Sequence, residues 1–187
     1  GRKRDAHSYA SMMFNVSEGF LKTPEGEVYI HDCVDDKTIF LFGGGDSIND
    51  LLQSENYHPK SVVNFDPYLI SEPVDKNKNG IYQSQGLSAS DPKISSMSNS
   101  GELPKADEVW GTYSVPFYLD RPEEITNLIH NASAVLAPGG NARFSPIMVQ
   151  HGETAGGSFS TRKEALMKSL TALTESTDFN VTVFGDT

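Results

Sequence analysis

Cysteine is nearly absent. Cys33 stands alone in 187 residues, which excludes an internal disulfide and points to a reducing compartment, so a cytoplasmic location is expected. Long apolar runs are missing too: none approaches the roughly 18 residues of a membrane span. Basic charge is scarce, with 15 Lys and Arg against 25 Asp and Glu, a net charge of -10. Such a surface repels phosphate backbones, which favours a small molecule or a protein over nucleic acid as partner. The local exception, Arg2-Lys3-Arg4, reads as a solvated terminus, with a processing or docking signal as the sharper alternative. Metal-ligand spacing is lacking as well. His31, Asp32, Cys33, Asp35 and Asp36 crowd together without a recognised zinc pattern, so the stretch reads as an acidic loop and no metal is expected. No internal repeat is visible.

What remains is ordinary globular composition, 37% hydrophobic and 10% aromatic, and length enough for one domain with a real core. No signal peptide is visible, and the chain starts at Gly1 rather than Met; a mature or excised piece of a longer protein is the expectation. Asn15-Val16-Ser17, Asn131-Ala132-Ser133 and Asn180-Val181-Thr182 match the glycosylation acceptor pattern and are read as chance.

Tyr9, Met13, Val16 and Phe20 recur at helical spacing, which predicts one amphipathic helix from Ala6 to Leu21, broken by Thr23-Pro24-Glu25-Gly26. Val28 to Ile30 reads as a short strand and His31 to Lys37 as a polar loop. Thr38 to Phe42 is apolar and partly β-branched, as a buried strand would be. Ile48, Leu51 and Leu52 mark a helix that must end near His58-Pro59, because proline disfavours helical geometry in the residue before it. Ser61 to Phe65, closing on Asp66-Pro67, is the next strand. The result is a βαβ unit with parallel strands.

Ser71 to Lys105 is serine-rich, and a structureless loop of that length is unusual in a compact domain, so short elements are expected around Ile81-Tyr82 and Ile94 to Met97. Glu108 to Tyr113 reads as a strand. Asp120-Arg121-Pro122-Glu123 starts a helix with Asp120 as cap, its buried face formed by Ile125, Leu128, Ile129, Ala132 and Leu136. Pro138-Gly139-Gly140 stops it, and Ala142 to Ile147 is a further strand. Gly152 to Gly157 reads as a mobile loop. Thr161 to Glu164 forms a capping box for a last helix carrying Leu166, Leu170 and Leu173, and Asn180 to Phe184 makes a final strand. Alternation of this kind argues for an α/β, three-layer sandwich with a mostly parallel central sheet.

The stretch "FLFGGGDSINDLL", Phe40 to Leu52, concentrates the functional signal. Glycines between a strand and a helix let backbone N–H groups approach a ligand, and the helix offers its amino end. Ligands of open parallel sheets bind beyond the carboxyl ends of the strands, where strand order reverses. Asp66 ends the next strand 21 residues after Gly45, close to the roughly 20 expected of an acid that holds ribose hydroxyls. A tight turn and a strand-end acid without any ligand is the plainer alternative.

Gly43-Gly44-Gly45-Asp46-Ser47 resembles the D/E-x-G-x-G-x-G signature of class I S-adenosylmethionine-dependent methyltransferases, with Leu41 in place of the acid and Ser47 in place of the third glycine. Ala106 to Gly140 looks like that family's fourth strand, loop, helix and L-x-P-G-G turn, with Asp107-Glu108-Val109-Trp110 where F-D-L-V is common. The resemblance covers Thr38 to Ile147. It implies a Rossmann-like methyltransferase fold of seven strands in order 3-2-1-4-5-7-6, of which this chain reaches only the sixth. On that basis residues 1–30 are an N-terminal helix and cap, and 38–187 the core of one domain.

By the same resemblance the cofactor is S-adenosylmethionine. Gly43, Gly44 and Gly45 line its methionine side, Asp46 meets its ammonium in place of the missing acid, and Asp66 holds the ribose. Asn99 or Ser100 approaches the adenine, and Thr112 and Tyr113 sit near the sulfonium and the incoming nucleophile. The implied chemistry is in-line methyl transfer to an unidentified acceptor, in which the cofactor supplies the reactivity and the protein the positioning. If a base is used, the candidates are Tyr113, Tyr118, His151 and Glu153, residue types that in such positions are more often structural or solvated than catalytic. Ser114-Val115-Pro116-Phe117 occupies the place of the family's N/D-P-P-Y motif in a degenerate form that names no substrate. The helix Ala6 to Leu21 and the loop Gly152 to Gly157 are expected to flank the acceptor.

Three rivals stand beside this reading. A spermidine synthase-like aminopropyltransferase would share the glycine loop, but Thr112 to Tyr118 contains no carboxylate to hold an amine. A nicotinamide-dependent oxidoreductase would need a different glycine spacing and more chain. A binding module that kept the fold and lost catalysis fits Leu41 and the serine-rich middle.

Overall fold

The structure, a computed structural model, describes residues 6–44, 52, 56–68 and 81–184. Its elements in chain order are α1 (Ala6–Phe14), α2 (Glu18–Leu21), α3 (Pro24–Val34), β1 (Thr38–Phe42), β2 (Ser61–Phe65), β3 (Tyr82–Gln85), α4 (Lys93–Ser100), β4 (Ala106–Thr112), α5 (Pro122–Val135), β5 (Leu136–Ser145) and α6 (Phe159–Glu175). The five strands form one sheet in the order β3-β2-β1-β4-β5, parallel throughout. This is the Rossmann-like α/β arrangement, three layers deep.

β1 is buried along its whole length, and its alternating side chains serve both faces. Ile39 and Leu41 join Val62 and Trp110 in a cluster covered by Met13, Phe14, Ile30 and Val34 of α1 and α3. Phe40 and Phe42 join Val63, Phe65 and Val109 in a second cluster covered by α4, α5 and α6 through Ile94, Ile125, Leu128 and Leu166. Among the described residues no helix is long and apolar enough to cross a membrane.

The N-terminal region differs from the expectation. The helix from Ala6 stops at Phe14, where Asn15 turns into the left-handed region with φ 53°, and Ser17 caps the short α2 by accepting from the Phe20 N–H. Thr23-Pro24-Glu25-Gly26 starts a helix rather than breaking one. Thr23 Oγ1 accepts from the Gly26 N–H at 3.1 Å, Pro24 takes the first helical position, and Glu25 and Glu27 lie in the first turn. Val28 to Ile30 is therefore helical, with Ile30 and Val34 buried one turn apart. His31 sits in the last turn of α3 and pairs with Asp35 through Nδ1 at 2.6 Å.

Later elements are also re-bounded. Arg121, not Asp120, is the cap residue of α5, and it makes no side-chain capping bond; Pro122 begins the helix. Leu136 belongs to β5. Pro138-Gly139-Gly140 lies inside that strand as a bulge: Ala106 pairs with Leu136 but Glu108 with Asn141. The bulge needs its glycines. Gly139 has φ +79°, and a Cβ on Gly140 would stand 2.9 Å from the Ala106 carbonyl oxygen. Ser158 caps α6, with Thr161 as donor of the capping bond. Asn180 to Phe184 forms no strand among the described residues; Asn180 to Val183 line a groove of about 500 Å³ beside the open edge of β5 with Leu136, Phe144 and Leu170. Val181 and Val183 carry the alternation of a strand, but strand formation depends on pairing and packing surface more than on propensity.

An ion pair built on a buried carboxylate joins β4 to β5. Glu108 on β4, 4% exposed, accepts from Arg143 Nε of β5 at 2.7 Å, Trp110 Nε1 at 2.9 Å and Asn141 Nδ2 at 3.1 Å. The Arg143 guanidinium lies 5.1 Å over the Phe14 ring. Burial disfavours its charge, but the bond and field of Glu108 outweigh that and hold its pKa above the ordinary arginine value. Glu108→Ala leaves the half-buried Arg143 without its partner and is expected to cost about 3 kcal/mol by urea denaturation, the low end for a buried pair because water reaches part of the guanidinium. Glu108→Gln, which keeps the acceptor oxygen, should cost measurably less.

Candidate functional site at the carboxyl ends of the strands

β1 is flanked by β2 on one side and β4 on the other, so strand order reverses about β1, the place where open parallel sheets bind ligands beyond their carboxyl ends. Phe42 pairs in register with Phe65, and the Gly43 N–H donates to the Phe65 carbonyl at 2.8 Å. The glycine turn and Asp66 therefore leave the sheet side by side. Asp66 is half-buried, and its Oδ1 accepts from the Tyr68 N–H at 2.9 Å, closing a turn over Pro67.

The two described glycines meet protein. Gly43 has φ +66°, and a Cβ there would stand 2.6 Å from Ser114 Oγ. A Cβ on Gly44 would stand 2.9 Å from Leu41 Cβ and 3.1 Å from Asn64 Oδ1. Gly43 and Gly44 are thus required by backbone geometry and by neighbouring side chains. Any close approach of backbone to a ligand falls to Gly45 and Asp46, which lie outside the described residues, as do Ile48 and Leu51.

From β4 comes the facing wall. Thr112 Oγ1 donates to Met13 Sδ of α1 at 3.4 Å. Tyr113 takes φ +55°, yet its N–H still reaches the Ser145 carbonyl at 2.8 Å, and its ring meets Tyr9 of α1 edge to face with centroids 6.4 Å apart. Ser114 Oγ donates to the Phe42 carbonyl at 3.0 Å, so the loop after β4 is tied across to β1. That loop then buries Val115 and Leu119 while exposing Tyr118, whose ring stands against Phe117. His151 and Glu153 lie exposed in the loop after β5, with the His151 ring stacked on Phe159 at 4.6 Å.

Asn99 and Ser100 do not join this group. They are exposed in the last turn of α4, which leads to the start of β4, so they lie by the amino ends of the strands. Lys105 marks that end, bridging Ser98 Oγ and the Ala134 carbonyl at 2.9 Å each. The stretch at the carboxyl end of β3 is Gly86 to Ser90 instead, where Ser88 Oγ accepts from the Ser90 N–H at 3.2 Å and Ser90 is buried. The serine-rich sequence carried no signal that could set this register. Ser114 was visible only as a departure from a motif; its contact with Gly43 is non-local.

No family model matches the chain, and no curated protein matches it. Solved structures do match. A candidate rRNA methylase of Clostridium thermocellum is 16% identical, covers 80% of this chain and 78% of its own, and superposes with a TM-score of 0.45. AibC is 14% identical over 78% of this chain and 45% of its own, with a TM-score of 0.36. Shared architecture at this level does not imply shared chemistry.

The glycine geometry makes a direct prediction. Gly43→Ala combines a left-handed backbone with a clash against Ser114 and is expected to destabilise the fold by about 2–4 kcal/mol. Adding Ser114→Gly should recover part of that loss, because it removes the clash and leaves the backbone strain; a chemical denaturation series on the single and double variants measures both.

Proposed function

We propose that this protein binds S-adenosylmethionine at the carboxyl ends of β1 and β4 and transfers its methyl group to an acceptor. The observation that carries the reading is the register of β1 and β2, which sets the glycine turn beside Asp66 at the carboxyl edge. A carboxylate there can accept bonds from two vicinal ribose hydroxyls, and the turn leads to the backbone of Gly45 and the acid Asp46. The fit is partial: Asp66 suits a ribose, whereas the niches of Gly43 and Gly44 are already occupied by side chains.

When bound, the cofactor supplies an electrophilic methyl on a sulfonium, and the chain's own groups position what attacks it. Thr112 and Tyr113 end β4 on the facing wall, and Tyr9 and Met13 of α1 close over them. The side chains of Tyr113, Tyr118 and His151 are the polar groups we assign to the acceptor side. The acceptor is a small molecule or a protein: the rRNA in the name of the Clostridium protein is not carried over, because a net charge of -10 opposes a phosphate backbone.

A second reading has an observation of its own. Gly43 and Gly44 are filled by Ser114, Leu41 and Asn64, and Asp66 already closes its own turn, which suits a module that keeps the fold and binds no cofactor. Calorimetric titration with S-adenosylmethionine, S-adenosylhomocysteine, decarboxylated S-adenosylmethionine and NAD separates the readings. Micromolar binding of the first two is expected. Preference for the decarboxylated form would mean aminopropyl transfer, and silence from all four with a cooperative melt would mean the cofactor-free module. Asp66→Ala should weaken cofactor binding by about 1.5–3 kcal/mol while the fold survives; Asp66→Asn, which keeps the acceptor for the Tyr68 N–H, separates loss of charge from loss of the turn. Unchanged affinity in both variants would remove Asp66 from the site.

A further inference from the structure

Among the described residues one arginine, Arg162, is fully buried, and it is treated differently from the partly exposed Arg143. Arg143 has Glu108 at 2.7 Å. Arg162, in the first turn of α6, is fully buried, yet among the described residues no ion pair joins it to any carboxylate. Nη2 donates to the Gly152 carbonyl at 2.5 Å, and Nε and Nη1 have no partner among the described residues. In a chain with 25 acidic residues a carboxylate partner was available to selection at little cost in composition. An unpaired buried guanidinium is among the most expensive groups a fold can carry.

Its surroundings suit an anion. Side chains of helices lean toward the helix amino end, and the bond to Gly152 places the guanidinium there, beneath the loop that enters α6. The amino end of α5 converges on the same place: a Cβ on Gly157 would stand 3.0 Å from Pro122 Cδ of α5 and 3.2 Å from Thr161 Oγ1 of α6. Two helix amino ends add their partial positive charge to that of the guanidinium. The cover is a loop with glycines at 152, 156 and 157, Gly152 at φ +90°. Thr154 Oγ1 holds it to the Asp120 carbonyl at 2.5 Å, and the Thr154 and Gly157 backbones pair with each other.

We propose that Arg162 is the recognition group of a covered oxyanion subsite, with the Gly152 carbonyl holding Nη2 until a ligand carboxylate or phosphate replaces it as the loop 150–157 lifts. Freed from Gly152, Nη2 then forms with Nε or with Nη1 the two-pronged donor fork that binds a carboxylate or phosphate. Because the loop follows β5 and opens on the carboxyl edge of the sheet, the anion belongs to the acceptor. Only this last step, the word acceptor, rests on the methyl-transfer reading; the anion site stands on Arg162 alone.

The test uses the full chain without cofactor, so its failure is distinct from failure of cofactor binding. Thermal melts are recorded against inorganic phosphate and against acetate, with sodium chloride matching ionic strength. The expected result is a rise of about 3–6 °C at a tenfold excess over the dissociation constant of the better anion. The larger shift identifies phosphate or carboxylate as the group recognised. Arg162→Met should lose the shift, and the neighbouring Lys163→Met should keep it. No shift in the unaltered chain, or an equal shift in Arg162→Met, overturns the proposal. If Arg162→Met does not fold, the Nε–H resonance of Arg162 in the unaltered chain gives the decision: movement on anion titration supports the site, and an unmoved resonance at the highest concentration overturns it.

Discussion

The simultaneous pairing of β1 with β2 and β4 is the constraint on which the rest of the molecule depends. A strand buried on both faces and paired along both edges has no contact with water, so every backbone group must be satisfied within the sheet. β2 meets one edge of β1 in an unbroken register from Thr38–Ser61 to Phe42–Phe65, and β4 meets the other. The chain must therefore return from β3 across the sheet to reach the far side of β1. That return makes β1 the point where strand order reverses and collects Gly43, Asp66, Thr112 and Tyr113 at the carboxyl edge. The site is a consequence of the topology before it is a consequence of any motif.

Buried polarity is the second organising term. Glu108 holds Arg143, Trp110 and Asn141 together on the face that α1 and α3 cover, and Asn131 of α5 ties the start of α4 by donating to the Ala89 and Asp91 carbonyls at 2.8 and 2.9 Å. These groups are satisfied, so their burial fixes geometry at tolerable cost. Arg162 stands apart because its burial is not compensated within the described protein.

The glycines have two meanings that a sequence cannot separate. Absence of a side chain can leave room for a ligand or for the protein itself. At Gly43 and Gly44 the space is taken by Ser114, Leu41 and Asn64, and at Gly139-Gly140 the glycines accommodate a bulge in β5 rather than a helix stop. In each case the deciding neighbour is distant in the chain: Ser114 lies 71 residues beyond Gly43.

By itself the sequence determined the α/β class, the strands β1, β2 and β4, and the buried face of α5, because hydrophobic periodicity is a local property written in consecutive residues. It also marked Gly43 and Asp66 as strand-end residues, since strand ends follow from where the apolar runs stop. It misread Thr23 to Gly26, where proline and glycine serve a helix start as readily as a break. Only tertiary structure decided that Asn180 to Phe184 stays unpaired, that Asn99 faces the amino ends of the strands, and that Glu108 and Arg162 are buried, one with a partner and one without. Those outcomes depend on what lies across the sheet or beneath a loop. Burial and pairing are relations between residues far apart in the chain, and no local pattern encodes them.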